Sequence, residues 1–268
     1  MLGKLMKHEL RATSRTMLPL LLLTLLLSVF VRMTSVVVEK THANFIELIH
    51  ALLIFAFVLA LIGTAVFSVV LMVLRFRNNL MTDEGYLMFT LPVNVHQLLW
   101  SKLLVSSLWF VAVFLTDALS VFLVFFRSRM LEELPAFFRA LSQQMTSYYA
   151  VNGALFALEL FAVVLAGMLT ACLLFYAPLA IGNSFATHKT LLSVVFYFVI
   201  QTVLQLVSVF GFAASSRVFY PLFESVFAES VIKAVHLVLL SALGYSLIVG
   251  AILYILTWFM LRRHLNLQ

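Results

Sequence analysis

Six apolar runs, each at least as long as a bilayer crossing needs, leave this chain little choice of solvent. They lie at roughly Met17–Val38, Ile46–Leu74, Leu99–Phe126, Tyr148–Ala177, Leu191–Phe212 and His236–Leu261, and one crossing helix takes about 20 residues. Of the 268 residues, 64% are hydrophobic and only 10% charged, with a mean hydropathy of +1.12. A soluble domain of this size carries about a quarter charged residues. No core can hide this much apolar surface from water, so lipid must take it. The expected fold is an all-α integral membrane protein: one domain over residues 1–268, with six transmembrane helices.

Charge then sets the orientation. The net charge is +6, but the basic residues sit between apolar runs and form no single patch. They read as topology signals and not as a nucleic-acid surface. With the N-terminus inside, Lys4, Lys7, Arg11, Arg15, Arg75, Arg77, Lys102, Lys189, Arg262 and Arg263 fall on the inner side, against seven basic residues outside. Both termini are therefore expected in the cytoplasm, with the chain multi-pass in the cell membrane. The first apolar run is too long for a signal-peptide core of about 7–15 residues. The single Cys172 excludes a disulfide framework and any CxxC motif.

Before the first run, "MLGKLMKHELRATSR" places Lys4, Lys7, His8, Arg11 and Arg15 on one helical arc, with Leu2, Leu5, Met6 and Leu10 opposite. That pattern predicts a separate interfacial helix over residues 1–15, its basic face toward anionic headgroups. Glu9 falls within the apolar face. Two readings are open for it: a tilt toward water, or a contact with protein such as Arg75 or Arg77. Lys102, near the inner interface, is expected to snorkel. Two outer connections, "RSRMLEELPAFFRALSQQMTS" and "AASSRVFYPLFESVFAESVIK", read as interfacial or re-entrant helices.

Between the second and third runs stands "DEGYLMFTLPVNVHQLLWSK", Asp83 to Lys102. Thr82 can cap a short helix with Asp83 and Glu84 in its first turn, where acids suit the helix dipole. Pro92 pushes Leu91 out of the helical region and ends it. Asn94 with Gln97 then resembles a capping box opening the third span. A short helix here exposes Tyr86, Leu87, Met88 and Phe89. It is either a docking surface rimmed by charge or a helix tucked under the spans.

The basic N-terminal helix, the six spans and the acid–Gly…Leu-Pro…Ser-Lys connector together resemble permease subunits of ABC transporters of the type-2 exporter class. "DEGYLMFTLPV" followed by "SK" is similar to small permeases of Gram-positive bacteria. The resemblance implies an exporter subunit whose connector is a coupling helix seated in a groove on a separate cytoplasmic ATPase. Asp83, Glu84, Gly85, Tyr86, Leu87, Phe89, Leu91 and Pro92 would form the coupling surface, and Ser215–Lys233 would match a re-entrant outer segment before the last span. It also implies a second permease subunit, identical or different. Unlike larger members, the chain carries no fused nucleotide-binding domain. It has no GxxxxGK[ST], so ATP and Mg belong on the partner ATPase. No cofactor is expected on this chain.

Asp117 and Glu159 are the acids deep within the runs. Sixteen Leu, Val or Phe residues lie between Leu103 and Phe126; at about −0.3 to −0.6 kcal/mol each they outweigh roughly +3 kcal/mol for one Asp. The pair reads as a site for cationic or polar substrate groups, with Gln201 and Gln205 along the same path, as a carboxyl pair sharing a proton, or as hydrogen-bonding glue between helices. Ser246 and Gly250 form a small-xxx-small pair for close packing. Enzyme signatures are missing: "HELRA" has no second histidine, Glu47 and His50 with His42 make half a metal site without a second copy, and no GxSxG occurs. No catalytic residue or metal site is expected. The rival functions are a secondary transporter using the intramembrane carboxylates and a non-transporting membrane anchor for an ATPase.

Overall fold

A computed structural model describes residues 2–41, 44–82, 85, 93–126, 128–143, 153–185, 187–229 and 231–263. Seven helices account for nearly all of these: α1 (Leu2–Thr41), α2 (Asn44–Met81), α3 (Val95–Phe125), α4 (Ser128–Gln143), α5 (Gly153–Gly182), α6 (Lys189–Glu229) and α7 (Val231–Arg263). All except α4 contain a stretch long and apolar enough to cross a membrane. The chain is an all-helical multi-pass membrane protein in its composition and element lengths. At 16 residues, α4 is about 24 Å long and falls short of a hydrocarbon core of about 30 Å. It is a short helix of the kind expected in the connection after the third run.

Two segments differ from expectation. Residues 2–15 are not a separate helix but the opening turns of α1, which runs unbroken for 40 residues through Pro19. Leu, Met, Lys, Glu, Ala and Arg dominate this stretch and are good helix formers. A proline removes one hydrogen bond without reversing the chain. In the same way, residues 215–229 do not turn back as a re-entrant segment. They continue α6 through Pro221 to Glu229, making a helix of 41 residues. A reversal needs a cluster of turn residues, and two serines with one proline do not supply it. Helices of this length span about 60 Å, roughly twice the hydrocarbon core.

The helices fall into two compact groups: Met1–Arg75 with Trp100–Leu134, and Phe76–Leu99 with Pro135–Gln268. In the first group α1 and α3 run parallel, because Glu9 pairs with Lys102 and Thr13 with Trp109. There α2 is antiparallel to α1: Arg75 meets Ala12 near one end and His50 meets Thr34 near the other. Met17, Leu21, Val105, Trp109 and Val113 form the core, with Phe67 and Leu71 against it.

In the second group α5 packs on α6 and α7, and α6 on α7. Small residues set the spacing. A Cβ added at Gly182 would lie 2.5 Å from the Ser193 backbone nitrogen, and one at Gly250 would lie 2.8 Å from Thr170 Oγ1. Thr170 Oγ1 donates to the Ser246 carbonyl at 2.9 Å, so the Ser246–Gly250 pair is a helix contact, as its spacing predicts.

Candidate functional site at the stems of the α2–α3 connector

Asp83, Glu84, Tyr86, Leu87, Met88, Phe89, Leu91 and Pro92 lie outside the described residues, and so does the short helix expected from them. Both stems of the connector are described. On the α2 side, Phe76 stacks on Tyr176 with ring centroids 3.9 Å apart and planes 7° from parallel. Leu80 and Met81 on the same stem are buried, and Asn183 Nδ2 points at Met81 Sδ at 3.0 Å, a weak acceptor. Arg77 Nη2 donates to Thr190 Oγ1 at 3.0 Å. The Thr82 hydroxyl bonds back to the Asn78 carbonyl and so finishes α2; the spacing had suggested that it caps a following helix. The N–H of Gly85 donates to the Thr82 carbonyl at 2.7 Å.

On the α3 side, the Asn94 carbonyl accepts from the N–H groups of Gln97 (2.8 Å) and Leu98 (3.2 Å). The span opens where Asn94 and Gln97 predict. Leu98 and Leu99 are buried. His96 Nδ1 meets the Tyr254 hydroxyl at 2.7 Å, and its ring stacks on Trp258 at 5.0 Å. Arg262 lies over that same Trp258, 5.3 Å from its ring centre. Close-packed rings and aliphatics of this kind transmit displacement instead of absorbing it. Both stems belong to the group of α5–α7, while α2 up to Arg75 and α3 from Trp100 onward belong to the other group.

The N-terminal turns of α1 divide as the sequence predicts. Lys4, Lys7, His8, Arg11 and Arg15 are exposed, and Met6 and Leu10 pack on the core. Glu9 does not tilt to water. It is 7% exposed and pairs with Lys102. Lys102 is 3% exposed; its ammonium does not snorkel, because a carboxylate meets it inside the protein. Arg75, one of the partners suggested for Glu9, instead donates to the Ala12 carbonyl at 3.2 Å. Trp109 Nε1 donates to Thr13 Oγ1 at 2.7 Å, which leaves no indole N–H in the apolar core unsatisfied.

Most of the polar residues predicted within the spans have a side-chain partner. Asp117 meets Thr64 Oγ1 at 3.3 and 3.4 Å. Glu159 Oε2 lies 2.5 Å from His236 Nδ1, with Phe156 edge-on to that imidazole. His236 was legible only as the start of the last run; a histidine facing a glutamate across two parallel helices far apart in sequence leaves no local signal. Gln201 Nε2 donates to Tyr197 OH at 3.3 Å, and Gln205 is exposed on α6. His50 Nδ1 meets Thr34 Oγ1 at 2.9 Å, joining α2 to α1. Compared with protein-family models, curated proteins and solved structures, the chain matches none.

Proposed function

We propose that this chain is the transmembrane permease subunit of an ATP-driven ABC exporter, coupled to a separate cytoplasmic ATPase that holds ATP and Mg. The single observation that supports it best is the pair of connector stems. A short connection carrying Tyr86, Leu87, Met88 and Phe89 joins two helix ends anchored by buried ring and aliphatic packing. A partner seated on the connector would push both stems at once, and α2 and α3 continue from those stems into the other helix group. In this reading the connector faces the cytoplasm, as do both termini, and a second permease subunit completes the path.

Interface energy concentrates in buried aromatic anchors, so Tyr86→Ala and Phe89→Ala should each cost about 2 kcal/mol or more of ATPase binding. Asp83 and Glu84, at the rim, matter less and in a salt-dependent way. The test is to purify the chain with its co-expressed ATPase in lipid nanodiscs and measure complex formation and ATP turnover. The double variant should fold, lose the ATPase and lose turnover. Normal binding and turnover by Tyr86→Ala/Phe89→Ala would remove the main support for the reading. Orientation has its own check. The native Cys172 is buried, so its background is low. Cysteines at Asn78 and Gln268 should resist impermeant thiol reagents in whole cells, and one at Ser142 should label.

A further inference from the structure

Halfway along the α1–α3 group lies a polar layer that is one positive charge short. The single hydroxyl proton of Thr64 has four acceptors within reach: the carbonyls of Ala60 at 3.0 Å and Leu61 at 2.9 Å, and the two carboxylate oxygens of Asp117 at 3.3 and 3.4 Å. The nearer carbonyls hold it better. The hydroxyl oxygen then faces the carboxylate, acceptor against acceptor. One turn further along α3, Ser120 is fully buried and its hydroxyl has no hydrogen-bond partner among the described residues. Three residues from Asp117, it shares that face of the helix.

On α1 the parallel pairing of Glu9 with Lys102 and Thr13 with Trp109, carried along both helices, brings Thr24 level with Asp117 and Ser120. Thr24 is buried, and its proton goes to the Leu21 carbonyl at 2.8 Å, which leaves its oxygen as an acceptor with no donor among the described residues. The layer is about 20 Å along the helices from the Glu9–Lys102 pair and about 20 Å from the Thr34–His50 contact, at 1.5 Å per residue. No other charged residue occupies α1 between Arg15 and Arg32, α2 between His50 and Arg75, or α3 beyond Lys102. The other titratable groups of the three helices lie toward their ends.

We propose that this layer binds one monovalent cation, a proton or a sodium ion, on the Asp117 carboxylate, with Thr64, Ser120 and Thr24 supplying the remaining oxygens. Hard oxygen donors with no nitrogen or sulfur suit such a cation. One carboxylate balances one positive charge, whereas a divalent ion would leave an excess charge at mid-depth in the membrane, where charge is expensive. The helices are unbroken at this level and keep their carbonyls in the helical ladder, so side chains must make the shell. Binding is a property of this chain alone and stands apart from its coupling to an ATPase.

The test is thermal unfolding of the full chain in lipid nanodiscs. Sodium chloride is exchanged for choline chloride at constant ionic strength, from mildly acidic to mildly alkaline pH. A bound cation stabilises the folded state in proportion to its occupancy. If sodium is the ligand, the midpoint rises by a few degrees with sodium and Asp117→Asn abolishes the rise. If the ligand is a proton, the midpoint rises as pH falls, sodium has no effect, and Asp117→Asn removes that part of the pH response. A wild-type midpoint that follows sodium and pH no differently from Asp117→Asn overturns the proposal. Ser120→Ala takes away one oxygen and no charge. It must raise the half-saturating cation concentration several-fold, and an unchanged value overturns the proposal as well.

Discussion

The two helix groups are held together by different means. In the group of α1–α3, polar side chains cross between helices: Glu9 to Lys102, Trp109 to Thr13, Arg75 to the Ala12 carbonyl. The group of α5–α7 has polar crossings of its own, Glu159 to His236 and Thr170 to the Ser246 carbonyl, but its closest approaches come where side chains are missing or flat: Gly182 under Ser193, Gly250 under Thr170, Phe76 on Tyr176. The first kind of contact is long in reach and sensitive to charge. The second depends on volume. Within the first group the contrast repeats on a smaller scale, since Glu9 meets a buried ammonium and Asp117, among the described residues, meets a hydroxyl. A carboxylate neutralised from inside the protein is structural. One left with hydroxyls alone is open to a cation from outside.

The largest expected effect tests the polar joint. Lys102→Ala leaves the buried Glu9 carboxylate without its charge partner and should cost about 3–5 kcal/mol of stability. Glu9→Gln/Lys102→Met removes both charges and should recover most of that loss. Unfolding of the purified chain by denaturing detergent reads both. A Lys102→Ala protein as stable as the wild type would show that this pair is not what joins α1 to α3.

Gly250→Val addresses the other group. Its added carbons meet Thr170 Oγ1, and overpacking of this kind costs about 1–3 kcal/mol. A Cβ at Gly244, on the same helix, meets nothing within 4 Å, so Gly244→Ala should be close to neutral in the same assay. Equal losses at both positions would contradict the close approach of α5 and α7. Asp117→Asn should change baseline stability by less than about 1 kcal/mol, because an amide N–H can donate to the Thr64 hydroxyl oxygen and brings no charge. That small effect beside the large one at Lys102 would sharpen the distinction between the two carboxylates.

The smallest effect concerns the join between α5 and α6. His188 precedes α6 at φ 55°, a left-handed conformation that costs a residue with a Cβ about 1–2 kcal/mol. Glycine removes that strain but loses more freedom on folding. His188→Gly should therefore stabilise by about 0.5 kcal/mol, read as a slightly higher unfolding midpoint.

Composition and run length by themselves determined the class of molecule. Six apolar runs can be satisfied only by lipid, and helices of the required length follow from them. Local chemistry also placed the opening of α3 at Asn94 and the tight packing at Ser246–Gly250, since a cap and a small-residue step act within a turn or two. The sequence could not say that residues 2–15 continue into α1 or that residues 215–229 continue α6. A lone proline or serine pair is compatible with both a break and a straight helix, and tertiary packing decides between them. Nor could it pair Glu9 with Lys102, Asp117 with Thr64 or Glu159 with His236, partners separated by 93, 53 and 77 residues. Which charges meet depends on how the helices are shifted and rotated against each other. That register comes from the fit of many apolar side chains at once, so no single residue announces it.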